Sequence, residues 1–293
     1  MRRNEYLPEG MGPLFPENQS LDVLRAAMED QTVLEGIAIR CGSQRELTVR
    51  FGGYEGTIPR SDVIHPAISG ADREIAALSR VGKPTCFTIT ALEVDGGGRS
   101  CLTLSRRAAQ EQAIAWLLEH GGPGAVLPAR VTHLERFGAF VDLGCGVNSL
   151  IPLENISIAR IPHPSARFRA GQDILAVVTA VDAGACRFYL SHKELLGTWL
   201  ENAAAFAPGD AVTGIVRGVR DYGVFVELAA NLSGLADCRE GVQAGDMVSV
   251  YIKSIRADTR KIKLQIIENL GPREEPAEFR YFITDGNVES WSY

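Results

Sequence analysis

The sequence predicts a mainly β protein made of tandem five-stranded barrels joined by short α-helices. Residues 124–150 align without a gap with residues 209–235, and a fainter copy of the pattern precedes both. Apolar and polar residues alternate over 174–181 and 247–252, as in half-buried strands. About five such strands, separated by glycine-rich turns, fit into each copy, which favours small closed antiparallel barrels.

The repeat divides the chain into barrels, linkers and terminal segments. These are an N-terminal extension with a short helix (1–29), a degenerate first barrel (30–106), a linker helix (107–121), a second barrel (122–194), a second linker helix (195–206), a third barrel (207–268) and an aromatic tail (269–293). Ser191 and Glu194 fit a capping box at the second linker. Asp285-Gly286 predicts a β-hairpin in the tail, packed on the third barrel or on a partner.

Composition narrows the possible functions. No apolar run approaches the ~20 residues of a membrane helix, and no secretory signal is visible, so we expect a cytoplasmic protein without a membrane partner. The six cysteines form no C-x-x-C pair and the five histidines show no metal-ligand spacing. Phosphate-binding loops and hydrolase motifs are missing too. We therefore predict a non-catalytic protein with no cofactor, no metal and no small-molecule substrate.

A pair of aromatic residues occupies the same place in the second and third barrels. Around Gly138 one strand ends and another begins, which leaves Phe137 in the turn and Phe140 on the outer face of the sheet. Tyr222 and Phe225 repeat this arrangement. Two exposed rings side by side form a stacking platform for bases, worth ~1–3 kcal/mol per base. The alternative is that the rings fill the barrel or pack on the linker helix.

These segments resemble a known RNA-binding family. Residues 137–144, 149–152 and 190–193 are closely similar to the S1 RNA-binding domain, the OB-fold repeat of ribosomal protein S1 and of several bacterial RNA-handling proteins. The resemblance covers about residues 30–267, but in the first barrel only its ends and middle match. It implies S1-type OB-fold barrels that bind single-stranded RNA through two aromatic residues, a histidine and basic residues near a closing Ser-x-Lys.

The candidate RNA contacts are the two aromatic pairs, the closing basic pair of the second barrel and several nearby cations. They are Arg136, Phe137, Phe140, Arg160, Arg167, His192, Lys193, Tyr222, Phe225 and Lys253. Arginines in the long loop at 160–169 can contact phosphate or stack on bases, or can serve solubility alone.

Two departures from the family pattern make us expect weaker RNA binding by the third barrel. The family's histidine position holds Pro152 in the second barrel and Asp237 in the third, and the third barrel lacks the closing basic pair. The cations that could compensate are Lys253, Arg256, Arg260, Lys261 and Lys263.

Two functions remain open at this point. The first is binding of single-stranded RNA, in particular mRNA, in translation. The second is a protein adaptor on the ribosome or an RNA-processing complex. The net charge of −6 favours the adaptor, whereas the two aromatic pairs favour the RNA binder, which we prefer. Residues 56–62 resemble the ribosome-docking repeats of the family, so residues 30–106 either contact the small ribosomal subunit or act as a spacer.

Overall fold

Three closed five-stranded barrels follow one another in the computed structural model, which describes residues 6–68, 73–94, 100–272 and 279–291. The first barrel consists of β1 (Leu34–Cys41), β2 (Leu47–Phe51), β3 (Tyr54–Ile58), β4 (Pro84–Val94) and β5 (Ser100–Ser105). The second consists of β6 (Val126–Glu135), β7 (Gly138–Asp142), β8 (Asn148–Pro152), β9 (Asp173–Asp182) and β10 (Arg187–Ser191). The third consists of β11 (Ala211–Arg220), β12 (Gly223–Ala229), β13 (Leu232–Ala236), β14 (Asp246–Arg256) and β15 (Lys261–Pro272). The predicted fold class is confirmed.

All three barrels share one topology. The strand order is β1-β2-β3-β5-β4 in the first barrel, and the other two repeat it. The third and fifth strands of each barrel pair in parallel, and the other neighbours are antiparallel. Alternate residues of each strand point inward and form the cores, as for Val131, Val141 and Ile151 in the second barrel. Gly138 is required by close packing, because a Cβ there would lie 2.4 Å from the Ile151 carbonyl oxygen.

Short helices connect and cap the barrels. They are α1 (Leu21–Glu29), α2 (Arg73–Leu78), α3 (Arg106–His120), α4 (Leu153–Ile156) and α5 (Trp199–Ala203), with 3-10 turns at Arg60–Asp62, Pro164–Ala166 and Lys193–Leu196. Helix α3 joins the first barrel to the second, and the Ser105 hydroxyl caps it by accepting a hydrogen bond from the Ala108 N–H. None of these helices, within the ranges described, is long and apolar enough to cross a membrane.

The second linker differs from its prediction. Ser191 is the last residue of β10, and its hydroxyl donates to the Asn155 carbonyl instead of capping a helix. The capping box forms further along the chain, after the 3-10 turn, where Thr198 and Glu201 hydrogen-bond reciprocally at the start of α5. The predicted helix over 195–206 is therefore a 3-10 turn followed by a short α-helix. Thr198 and Glu201 have the same spacing as Ser191 and Glu194, and the pairing of Ser191 with Val177 in the sheet keeps Ser191 from capping a helix.

The aromatic tail also differs from its prediction. Its described part, 279–291, contains no strand and hydrogen-bonds to the second barrel and the linker that follows it, and only Phe279 and Arg280 also line a cleft with residues of the third barrel. Backbone hydrogen bonds join the Phe282 N–H to the Leu195 carbonyl at 2.8 Å and the Val288 N–H to the Gly124 carbonyl at 2.8 Å. The tail follows the third barrel in sequence and binds to the second, so it connects the two barrels.

An N-terminal segment connects the first and second barrels. The Glu9 carboxylate accepts from Arg106 Nε at 2.7 Å and lies 2.8 Å from Arg80 Nη2, while the Glu9 N–H donates to Asp142 Oδ2 at 2.8 Å. Burial raises the pKa of Glu9, but the two guanidinium groups outweigh it and hold the pKa below its usual value. Burial and the negative Glu9 together raise the pKa of Asp142 to about 6.

Candidate nucleic-acid interface

The second barrel presents two aromatic rings on its surface. Phe137 lies in the turn before β7 and is 56% exposed, and Phe140 is half-buried on the outer face of β7. Their centroids are 6.0 Å apart and the ring planes meet at 85°, an edge-to-face contact. The neighbouring β7 residues Ala139 and Val141 point into the core and are fully buried. Strand alternation thus places one ring of the pair outside, and the turn supplies the other.

Two further aromatic residues continue this surface. His133 on β6 stacks on Phe140, with centroids 4.3 Å apart and planes 11° from parallel. Phe140 pairs with Leu150 on β8, and Leu150 pairs with Tyr189 on β10, which is 51% exposed. The sequence analysis missed His133 and Tyr189. A register shift between Val131 and His133 hid the first, because simple alternation does not place it opposite Phe140.

The third barrel repeats the pair and adds a basic groove. Tyr222 is 69% exposed and Phe225 is 36% exposed, with centroids 6.1 Å apart and planes at 89°. Beside them runs a groove of about 610 Å³. Its polar and charged lining residues are Ser233, Asp237, Ser254, Arg256, Arg260, Lys261 and Lys263.

The first barrel carries no aromatic ring at the matching positions. The same strand register, beside the same bulge, joins Arg40 on β1 to Thr48 on β2, Thr57 on β3 and Thr103 on β5. The three threonines offer hydrogen bonds and Arg40 offers a positive charge, but none of the four offers an aromatic ring for stacking. Among the residues that the structure describes, the second and third barrels therefore present an aromatic pair at these positions and the first does not.

His192 does not lie in this interface, contrary to its prediction. It is fully buried, and its ring packs edge-on against Phe168 and Phe279 with centroids at 5.0 and 4.8 Å. Its Nδ1 lies 3.2 Å from the Ile156 carbonyl, which can only accept, so Nδ1 carries the proton and Nε2 accepts from the Tyr281 hydroxyl at 3.1 Å. Burial lowers the pKa of His192 to about 4, and the neutral ring is a structural element under the tail.

Arg167 is likewise removed from the interface by its burial. Its side chain is 2% exposed, and Nη2 lies 2.5 Å from Glu227 Oε2 on β12. Arg217 Nε lies 2.6 Å from the same oxygen. A guanidinium committed to a carboxylate of the third barrel cannot contact phosphate. The long loop of the second barrel therefore contributes a contact between barrels.

The remaining predicted cations have different surroundings. Lys193 Nζ donates to Asn155 Oδ1 at 2.9 Å, which ties it to the end of α4. Lys253 Nζ lies 3.2 Å from Asp237 Oδ2 and so reduces the negative charge that this aspartate brings to the third barrel. Arg136 is exposed beside Phe137, and Arg160 is exposed on a cleft that is lined by residues 153–154 and 157–161.

Metal chemistry has no support in the part of the chain that the structure describes. There, no group of three or more histidine, cysteine, aspartate or glutamate side chains is placed to hold an ion.

Comparison with known proteins adds a family match. Residues 122–193 match the S1 RNA binding domain. Small ribosomal subunit protein bS1 of Neisseria meningitidis is 30% identical over 259 residues, which is 82% of this chain and 44% of that protein. Protein bS1 of Leuconostoc lactis is 31% identical over 247 residues, which is 78% of this chain and 55% of that protein. The chain spans about half the length of these relatives.

Among solved structures, a multidomain protein with nucleic acid binding domains from Streptococcus pneumoniae is 16% identical and covers 81% of this chain and 74% of its own. The TM-score is 0.28, so this superposition supports no argument about function.

Proposed function

We propose that the protein binds single-stranded RNA through the aromatic surfaces of its second and third barrels, because residues 122–193 match the S1 RNA binding domain and most of the chain is similar to bacterial bS1. The observation that carries this proposal is the repeated ring pair. Phe137 with Phe140 and Tyr222 with Phe225 share one geometry, at 6.0 and 6.1 Å and at 85° and 89°. Aromatic rings at the same two positions of two barrels, exposed or half-buried, suit a ligand that has flat apolar faces.

The charge distribution is compatible with this function despite the net charge of −6. The third barrel groups four cations along its groove beside Tyr222 and Phe225. RNA contacts act over roughly a Debye length, about 8 Å at physiological ionic strength, so the local cations matter more than the total charge.

A role in translation is part of the proposal. The relatives that cover most of this chain are named as small ribosomal subunit proteins. We take mRNA as the RNA and the cytoplasm as the place of action. For the first barrel, whose row of threonines offers no ring to a base, we propose a protein contact, with the small ribosomal subunit as the partner.

Fluorescence anisotropy with a labelled single-stranded RNA of mixed sequence tests the proposal. The intact chain is compared with Phe137→Ala/Phe140→Ala and with Tyr222→Ala/Phe225→Ala. We expect each double variant to lose affinity by about tenfold or more, since one stacked base is worth roughly 1–3 kcal/mol and 1.4 kcal/mol corresponds to tenfold.

Tyr251→Ala is the matched control, because Tyr251 is 41% exposed on the third barrel but does not line the groove. It should bind RNA like the intact chain, and circular dichroism should show all variants folded. No binding by the intact chain would refute the proposal and leave the adaptor function.

A further inference from the structure

The aromatic surface of the second barrel crosses four adjacent strands. Strand register joins His133 on β6, Phe140 on β7, Leu150 on β8 and Tyr189 on β10 in one row on the outside of the barrel. Neighbouring strands lie ≈ 4.8 Å apart, so the row is about 14 Å long. Three of its four members are rings, and His133 stacks face to face on Phe140, so the aromatic surface continues from β7 onto β6.

The same row in the third barrel has a different chemistry. Its members are Gly218, Phe225, Leu235 and Lys263. Glycine replaces the stacked histidine, and an ammonium group replaces the tyrosine. Phe225 is therefore the only ring in this row, with Tyr222 beside it in the turn.

The hairpin next to the row is also more cationic in the third barrel than in the second. Strands β14 and β15 end in the pair Arg256–Lys261, with Arg260 in the turn between them. The corresponding hairpin of β9 and β10 ends in the pair Asp182–Arg187, and its turn carries no cation.

Together with Lys263, the third barrel has four exposed cations here: Arg256, Arg260, Lys261 and Lys263. None of the four is in an ion pair with an acid among the residues that the structure describes. At the same positions the second barrel has a single cation, Arg187.

From these differences we infer that the two barrels hold different parts of the RNA. The second barrel holds bases, with His133 and Tyr189 extending the Phe137–Phe140 platform. The third barrel, whose stacking surface is limited to Tyr222 and Phe225, holds mainly the phosphate backbone with the cations of its groove. This inference rests on the proposed function and assigns binding roles to six residues that the sequence analysis had left out of its interface or named only as compensating charges. They are His133, Tyr189, Arg256, Arg260, Lys261 and Lys263.

The inference is tested by the salt dependence of RNA binding in two variants. Phosphate contacts release counterions, so each one contributes about 0.7 to the slope of log affinity against log salt for a single strand, whereas stacking contributes no such slope. We expect Arg260→Ala/Lys263→Ala to lower the slope by up to about 1.4 and to matter little at high salt. We expect His133→Ala/Tyr189→Ala to lower affinity by about tenfold or more at every salt concentration, with the slope unchanged.

An abasic oligomer of the same length separates the two parts of the ligand directly. The His133→Ala/Tyr189→Ala variant should bind it as well as the intact chain does, and the Arg260→Ala/Lys263→Ala variant should bind it more weakly. Arg50→Ala, an exposed cation of the first barrel, is the matched control for loss of charge and should leave the slope unchanged.

The outcomes distinguish this inference from the function on which it rests. If both double variants change the slope equally, or if neither changes binding while Phe137→Ala/Phe140→Ala does, the division between barrels is wrong and RNA binding stands. If the intact chain binds no RNA, both fail.

Discussion

Replacement of Arg167 by methionine tests whether a buried ion cluster fixes the second barrel to the third. Arg167 follows the 3-10 turn Pro164–Ala166 in the loop of the second barrel. Its Nη2 lies 2.5 Å from Glu227 Oε2 and 3.0 Å from the Ser157 hydroxyl. Glu227 belongs to the third barrel and is also held by Arg217 at 2.6 Å. The cluster therefore consists of one carboxylate between two guanidinium groups, one from each barrel.

The expected magnitude follows from what each substitution leaves behind. Removal of one partner from a buried ion pair costs roughly 3–5 kcal/mol, because the remaining charge is uncompensated away from water. In Arg167→Met, Glu227 keeps Arg217, so we expect the lower end, about 3 kcal/mol. Glu227→Gln leaves two guanidinium groups without a counter-charge, so we expect the upper end, about 5 kcal/mol.

Urea unfolding followed by the fluorescence of Trp199 measures these costs. Trp199 begins α5 between the two barrels and is 2% exposed. Replacement of Trp116 and Trp291 by phenylalanine leaves it as the only one of the three tryptophans, so that selective tryptophan excitation reports on Trp199 alone. The midpoint and slope of this one transition are compared between variants, because a multidomain chain does not unfold in a single step.

An exposed pair of the same residue types provides the control. Arg50 and Glu55 lie 3.0 Å apart with side chains 61% and 52% exposed, so Arg50→Met should cost less than about 1 kcal/mol. A loss in Arg167→Met no larger than the loss in this control would refute the reasoning, and so would a smaller loss in Glu227→Gln than in Arg167→Met.

Three further predictions concern pH and the tail. Burial holds the pKa of His192 at about 4, below its ordinary value of 6.5. The contribution of the neutral ring to stability, roughly 3 kcal/mol, is therefore complete above pH 6.5 and is lost as the pH falls through 4. Thermal unfolding between pH 7 and 4 should show this loss, and His192→Gln should diminish it. Burial raises the pKa of Glu35 to about 7, so this residue has the opposite pH dependence. It favours the folded state at low pH and loses that advantage as the pH rises from 4.5 through 7. Glu35→Gln should therefore make the chain more stable at pH 8 in the same assay. Gly197 has φ 78°, and a Cβ there would lie 2.6 Å from the Phe282 ring. We therefore expect Gly197→Ala to detach the tail and to speed its removal in limited proteolysis. An unchanged cleavage rate would contradict the packing described above.

Barrels and ring pairs were predictable because both leave a local signal. Strand alternation repeats every second residue, and the gapless match of 124–150 with 209–235 fixes which residues of the two barrels correspond. Phe140 is on the outside because its neighbours Ala139 and Val141 are in the core, and that assignment needs nothing beyond the strand itself. Properties that regular strand alternation sets can be derived in this way, whereas the bulge that brings His133 opposite Phe140 cannot.

Long-range burial could not be predicted in the same way. His192 looks like a surface cation in its own segment, yet its partner Tyr281 is 89 residues away. Arg167 lies in a polar loop, and its partner Glu227 is 60 residues away. Whether a polar side chain faces water depends on which distant segment covers it, and a single sequence carries no record of that pairing. The five aromatic residues of the tail indicated that some surface was to be covered, but not which one.

The predictions for His192 and Arg167 were wrong for the same physical reason. Both side chains join the second barrel to the third instead of binding RNA. His192 anchors the tail through Tyr281, Arg167 anchors Glu227, and Asn231 Nδ2 of the third barrel donates to the carbonyls of Lys193 and Gly197 at 2.8 Å each. Two sites held on one body bind a strand differently from two separate barrels. Once the first is occupied, the second meets the RNA at an effective concentration that reaches the millimolar range for short connections, which raises overall affinity without any new contact. A chain with a net negative charge and only a few cations per barrel can therefore retain RNA through coupling between barrels, and loosening the junction by Arg167→Met should weaken RNA binding even though Arg167 touches no RNA.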